Sequence, residues 1–186
     1  FPENKRYALF NLMRWHYRSK AYESAQQKAE EVIELENLEV KVKWDAYEIL
    51  AQSAMELGDT IKAEKAFMTL ESAPIDALAA EAHYFRAQQN YNNKEYEQSN
   101  EVIALLSQKF SSQPFWAAKS LLLMAKNFSA LNDAFQATYI LESLITNYDQ
   151  FPDIVTKGKS LLQQINEEQA KQNASLTQEN LSSETP

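Results

Sequence analysis

Cysteine is absent from this 186-residue sequence, which excludes disulfide bonds, zinc sites with cysteine ligands and thiol nucleophiles. Glycine occurs only twice, too seldom for phosphate-binding loops and for folds that depend on many tight turns. Long apolar runs are also missing. Even one of the longest, from Leu121 to Ala125, falls far short of the roughly 20 residues in a membrane-spanning helix. We therefore expect no direct insertion of this chain into a membrane.

Basic residues are fewer than acidic ones: 18 Lys and Arg stand against 26 Asp and Glu, a formal net charge of −8 at pH 7. A surface of this sign repels a phosphate backbone, so nucleic acid is not expected as a partner. Apolar residues make up 45% of the chain, which is typical of a folded globular protein. Scarce glycine together with abundant Ala, Leu, Glu, Gln and Lys favours helix.

Residues capable of chemistry form no recognisable catalytic or metal-binding motif. The two histidines, His16 and His83, stand alone, without the HxxxH or HExxH spacing that brings two ligands onto one helix face. No GxSxG sequence marks a serine nucleophile. We interpret both histidines as packed side chains, and we expect no enzymatic activity, no cofactor and no metal site.

A repeat of helical units organises the chain. A small residue near the start of a second helix recurs at steps of 38, 36 and 38 residues. These small residues are Ala25, Ala63, Ser99 and Ala137. Each follows a polar or glycine-containing turn and begins a stripe of apolar residues at helical spacing. The spacing therefore predicts units made of two helices joined by a short turn.

Prolines separate successive units, because proline is tolerated in the first turn of a helix but breaks its interior. Pro74, Pro114 and Pro152 lie 40 and 38 residues apart. The periodicity predicts nine helices, over residues 3–18, 22–36, 41–57, 60–72, 76–92, 95–109, 114–131, 134–148 and 153–171. The ninth has no partner helix and is predicted to cap the apolar end of the preceding units. Residues 172–186 are polar and are predicted to be flexible.

The pattern resembles the tetratricopeptide repeat. The second unit matches the family best, with Tyr47, Leu50-Ala51, Gly58-Asp59, Ala63 and Phe67. In the third unit, His83, Arg86 and Asn90 occupy positions where apolar residues are usual, which makes it the weakest match. The period exceeds the family's ~34 residues. A late position of the second helix, usually small, is occupied by Val32, Leu70, Leu106 and Leu144.

These departures are similar to the divergent repeats of bacterial cell-envelope proteins, of the Tol-Pal-associated periplasmic and outer-membrane assembly types. The resemblance implies an all-α, right-handed α-solenoid over residues 1–171, with units at about 5–40, 41–76, 77–114 and 115–152 and a capping helix at 153–171. It favours the periplasm or cell envelope over the cytoplasm. Because the sequence begins at Phe1 rather than Met, we expect it to be a trimmed or processed piece of a longer chain.

In this family the second, fifth, ninth and twelfth positions of each first helix line a concave groove. Carried over to this chain, with Arg18 adjoining, the resemblance implies a partner-binding groove that includes Tyr7, Phe10, Arg14, Tyr17, Arg18, Glu48, Gln52, Tyr84, Gln88, Tyr91, Lys119 and Lys126. Aromatic residues and Arg are enriched at binding hot spots. We therefore expect a non-catalytic scaffold that binds a partner protein or peptide.

Two alternatives remain open at this point. In the first, some of the groove tyrosines pack between neighbouring units or against repeats upstream of this sequence, so that fewer of them are available to a ligand. In the second, the chain is a structural subunit that stacks with other repeats or forms homo-oligomers, without a peptide ligand. The Lys and Asn set by which chaperone-binding repeats clamp a C-terminal carboxylate is not found, so recognition of that group is not expected.

Overall fold

A computed structural model describes the backbone of residues 2–183 and the side chains of residues 4–175. All regular structure in this part of the chain is α-helical, and it comprises nine helices. They are α1 (Pro2–Arg18), α2 (Tyr22–Ile33), α3 (Val40–Glu56), α4 (Thr60–Leu70), α5 (Asp76–Asn92), α6 (Tyr96–Lys109), α7 (Pro114–Ala130), α8 (Ala134–Asn147) and α9 (Pro152–Ser183). The prediction of an all-α chain with nine helices is confirmed, and every helix starts within one residue of its predicted start.

The last helix is longer than predicted, because α9 continues to Ser183 rather than ending at residue 171. The side chains of residues 166–175 are all exposed, and Ile165 is the last buried residue among the side chains that the structure describes. Neither glycine nor proline interrupts residues 159–183, and Gln, Glu, Ala and Lys all favour helix. Intrinsic preference therefore extends the helix beyond its packed part. The predicted flexibility of residues 172–183 stays a prediction, and residues 184–186 lie outside the described part of the chain.

One backbone turn recurs four times, between α1 and α2, α3 and α4, α5 and α6, and α7 and α8. Its central residue has a positive φ each time: 58° at Lys20, 74° at Gly58, 66° at Lys94 and 61° at Asn132. In the second turn the N–H of Asp59 donates to the carbonyl of Ala54 at 2.9 Å, and that of Gly58 to Met55 at 3.0 Å. This is the Schellman arrangement, which satisfies the last carbonyls of a helix.

The chain divides into two compact units, Phe1–Arg86 and Ala87–Pro186, and the division falls within α5. In the first unit, α1 packs on α2, α2 on α3, α3 on α4, and α1 also contacts α3. Alanines supply much of its core, and small side chains allow helices to approach closely. Larger anchors fill the remaining space: Met13 and Leu70 are fully buried, and the rings of Phe67 and Phe85 stack with centroids 4.1 Å apart.

In the second unit, α6 packs on α7, α7 on α8 and α8 on α9, while α9 also contacts α7. Ile154 and Ile165 of α9 join Leu141 and Leu144 of α8 in one apolar core. A Cβ placed on Gly158 would lie 3.1 Å from Cδ2 of Leu144, so the α9 backbone approaches α8 closely. The ninth helix thus packs its apolar side chains against α8.

Buried polar side chains also join helices within the second unit. The Ser99 hydroxyl donates to the carbonyl of Ala87 at 2.8 Å and accepts from Nδ2 of Asn127 at 2.9 Å. The same Nδ2 donates to Oδ1 of Asn100 at 2.7 Å. Ser99 and Asn127 are fully buried, so these bonds fix one alignment of α6 and α7.

Two of the polar residues at usually apolar positions of the third predicted unit, His83 and Arg86, have side-chain partners. His83 is buried, with Nδ1 2.8 Å from the carbonyl of Ala79, which confirms its interpretation as a packed side chain. Arg86 forms an ion pair of 3.1 Å with Glu71. These positions are therefore compatible with helix packing.

Candidate partner-binding surface

The N-terminal half of α1 presents an open aromatic surface. The side chain of Tyr7 is 70% exposed, whereas Phe10 is half-buried and packs against the core of the first unit. Both residues border a depression of about 460 Å³ that continues to the loop before α3. Arg6 spans this depression and donates to the carbonyl of Glu36 at 2.6 Å. Of these two aromatics from the predicted groove, Tyr7 is thus available to a ligand and Phe10 is largely structural.

A second depression, of about 660 Å³, lies between α1 and α3 and is called the basic pocket below. It is lined by Asn11, Arg14, Trp15, Arg18, Lys41 and Asp45. Arg14 donates from Nε and Nη2 to Oδ2 of Asp45, with the Nε bond at 2.8 Å. Arg18 and Lys41 are exposed and make no ion pair among the residues whose side chains the structure describes. This pocket therefore offers two cations to an incoming ligand.

Beyond the basic pocket, the surface of α3 becomes acidic. Burial, and then the neighbouring charge of Asp45, raise the pKa of Glu48 above its ordinary value. Gln52, one turn further along α3, donates to Oε1 of Glu81. The pKa of the Tyr17 hydroxyl is raised by burial and, to a lesser extent, by Glu48 and Glu81. The predicted residues Tyr17 and Glu48 are thus close enough in the first unit to interact electrostatically, and Gln52 is linked to them through Glu81.

Two predicted groove tyrosines of the first unit are partly packed. Tyr17 lies against the apolar core, and its ring meets that of Tyr22 edge-on at a centroid distance of 6.2 Å. Tyr84 is half-buried, and burial raises the pKa of its hydroxyl. Tyr17 and Tyr84 therefore expose only part of their side chains to a ligand.

The four remaining predicted residues belong to the second unit, so the predicted groove set does not fall on one compact unit. Gln88 is half-buried and donates from Nε2 to Oδ1 of Asn92 at 3.2 Å. Tyr91 is half-buried, and its ring centroid lies 5.6 Å from that of Tyr96.

On α7, the predicted residues Lys119 and Lys126 differ in their surroundings. The ammonium of Lys119 lies 4.6 Å from the ring centroid of Trp116 and 5.5 Å from that of Phe115. At these distances a cation is attracted by both ring faces. Lys126 is exposed. Lys119 is consequently held by its own helix, whereas Lys126 extends into solvent.

Three residues of the basic pocket, Asn11, Trp15 and Lys41, were missed by the sequence prediction. Trp15 follows Arg14 in α1, and its side chain is 60% exposed. Lys41 precedes Asp45 by one helical turn in α3. The spacing of four residues between Lys41 and Asp45 places both on one face of α3, which is a signal readable from the sequence. No sequence pattern indicated the exposure of Trp15.

Comparison with protein-family models gives no match, and comparison with curated proteins gives none either. In the part of the chain that the structure describes, no group of three or more His, Cys, Asp or Glu side chains is arranged to hold a metal ion. Within the same residues, no helix combines the length and apolar character needed to cross a bilayer.

Proposed function

We propose that the chain is a non-catalytic interaction protein built from tandem helix pairs of the tetratricopeptide type, arranged as a right-handed solenoid. This proposal is supported by a backbone turn that recurs with the same period as the small residues of the sequence repeat. Each positive-φ turn residue precedes a small residue by five positions, and those small residues are buried. Their exposed fractions are 0% for Ala25, 1% for Ala63, 0% for Ser99 and 0% for Ala137. Four equivalent turns followed by four buried contact positions are what stacked helix pairs require.

We further propose that the α1–α3 surface of the first unit binds a partner protein or peptide. The observation that carries this proposal is the exposure of Tyr7, Trp15 and Arg18 beside two depressions in one surface. Large aromatic side chains and Arg are the residues that most often dominate binding energy at interfaces. Single exposed apolar residues are ordinary, but a group of this composition around concave surface favours a binding role.

A second candidate function is that of a self-associating structural subunit. It is favoured by Phe135 and Tyr139, which lie one turn apart on α8 and are 77% and 66% exposed. Adjacent exposed aromatic rings on one helix face are suited to a two-fold contact between copies. This candidate places the interaction on α8 rather than on α1.

Two double variants distinguish the candidates: Tyr7→Ala with Trp15→Ala, and Phe135→Ala with Tyr139→Ala. Each removes two exposed aromatic rings, so each serves as the control for the other once circular dichroism shows equal helix content and melting. In capture from an extract of the source cells, the proposal expects a partner that binds the unmodified chain and the α8 variant but not the α1 variant. Loss of the partner only with the α8 variant would reject the α1–α3 surface. Sedimentation velocity tests the second candidate, which requires an oligomer that the α8 variant dissociates.

A further inference from the structure

The basic pocket has a charge opposite to that of the chain as a whole. Arg14, Arg18 and Lys41 supply three positive charges against the single carboxylate of Asp45, whereas the chain carries a net −8. Both Arg14 bonds go to Asp45, so that pair is already satisfied. Arg18 and Lys41 are the cations left for a ligand, one on each of the two helices that form the pocket walls.

An apolar wall adjoins these cations. The Trp15 side chain, 60% exposed, lines the same depression. Its indole offers a flat surface for a side chain, while the Arg18 guanidinium pairs with a carboxylate through two parallel N–H donors. The volume of about 660 Å³ lies within the range of roughly 300–1,000 Å³ found for specific binding pockets.

From this arrangement we propose that the basic pocket binds an acidic segment of a partner protein, with Asp or Glu side chains paired to Arg18 and Lys41 and an apolar side chain against Trp15. The inference rests on the proposed function and specifies the chemistry of the partner. Complementary charge of this kind both speeds encounter and excludes partners of the wrong sign.

The surroundings of the pocket select a short acidic segment over a nucleic acid. A phosphate backbone carries its charges in an unbroken row and needs an extended basic surface. Here Asp45 lines the pocket, Glu48 lies near Asp45, and Glu48 and Glu81 both lie near Tyr17, the neighbour of Arg18. A negatively charged ligand group is therefore attracted to Arg18 and Lys41 and repelled by the neighbouring carboxylates. A polypeptide can place a few carboxylates at one point and neutral or basic residues next to it.

The test begins with a display library of short random peptides selected on the intact chain. The proposal expects the enriched peptides to be rich in Asp and Glu. Their affinity should fall about tenfold in the double variant Arg18→Gln with Lys41→Gln, and it should fall with added salt. The matched control is Lys157→Gln with Lys171→Gln, which removes the same charge from exposed positions of α9 and should change affinity by less than about twofold.

Tryptophan fluorescence adds a readout at the pocket itself. A bound apolar side chain should shift the emission of the exposed indole, and this shift should be absent in Trp15→Phe. Circular dichroism of each variant confirms that the helices remain.

Several results would overturn the inference. Enriched peptides without acidic bias, acidic peptides that bind the two double-Gln variants equally, or displacement of the peptide by a DNA oligonucleotide would each do so. If peptides without acidic bias are enriched and are lost with Tyr7→Ala plus Trp15→Ala, the proposed function stands and only the inference fails. If no peptide is enriched, peptide binding itself is rejected.

Discussion

The positive φ of Gly58 in the recurrent turn predicts how much the free energy of unfolding should fall when this residue is replaced by alanine. Gly58 has a φ of 74°, and a Cβ built there meets nothing within 4 Å. Gly58→Ala therefore introduces no clash, and the cost comes from the backbone conformation alone. A Cβ in the left-handed region costs about 1–2 kcal/mol. The lower entropy of the unfolded alanine chain offsets about 0.4–1 kcal/mol of it. We expect a net loss of roughly 0.5–1 kcal/mol.

The reverse kind of substitution, from a residue with a side chain to glycine at an equivalent turn of the same unit, should stabilise the protein. Lys20 holds a φ of 58° in the equivalent turn, so Lys20→Gly releases the strain of its Cβ. We expect a gain of about 0.5–1 kcal/mol. Ser19→Gly is the matched control, because this neighbour has no positive φ and should lose stability through unfolded-state entropy.

Urea unfolding of the full chain, monitored by tryptophan emission, tests whether each substitution raises or lowers the free energy of unfolding as expected. Trp44 is 8% exposed in the core of the first unit, and a Trp116→Phe background removes the signal from the second unit. Trp15 is already exposed and contributes little change. If Gly58→Ala is neutral or stabilising, or if Lys20→Gly and Ser19→Gly behave alike, the turn does not depend on a left-handed residue and the reasoning is refuted.

Further expectations concern ionisation and the buried polar bonds. Burial and Asp45 raise the pKa of Glu48 above its ordinary value of 4.5, so its ionisation weakens the fold as pH rises through the folded-state pKa. Glu48→Gln should therefore raise the melting temperature at pH 7, with the gain vanishing as pH falls towards 4.5. An equal gain in Glu64→Gln, at an exposed carboxylate, would indicate a general charge effect instead. Asn127→Ala should cost about 2 kcal/mol in urea unfolding, since a buried hydrogen bond to Ser99 and a partly buried one to Asn100 are lost. Combined with Ser99→Ala, the loss should be smaller than the sum by about 0.5–1 kcal/mol, and strict additivity would contradict a shared network.

The sequence was a good guide to the helices because their starts depend on local chemistry. Pro114 begins α7, and Asp59 and Asp133 each accept a hydrogen bond from a backbone N–H in the first turn that follows. The end of α9 was predicted less well. The prediction ended the helix at residue 171, but residues 166–175 are exposed and still helical, because Gln, Glu, Ala and Lys favour helix by intrinsic preference.

The candidate surface was only partly predictable, because tertiary contacts decide which side chains stay available. Arg14 and Arg18 were predicted as equals, but Asp45 binds the first and leaves the second exposed. Phe10 was predicted beside Tyr7 and packs against the core instead of remaining open. No pattern in a single sequence assigns these partners, since each depends on which helix lies alongside.

Packing within the first unit also has a consequence for biosynthesis. Its main contacts join helices that follow one another in the chain: α1 with α2, α2 with α3, and α3 with α4. Contacts of short sequence separation form with little loss of loop entropy, so such topologies fold quickly. Each of these helices meets its partner as soon as the next helix has been synthesised. The first unit is therefore suited to acquire its structure vectorially, from the N-terminus onward, while the ribosome is still adding the residues of the second.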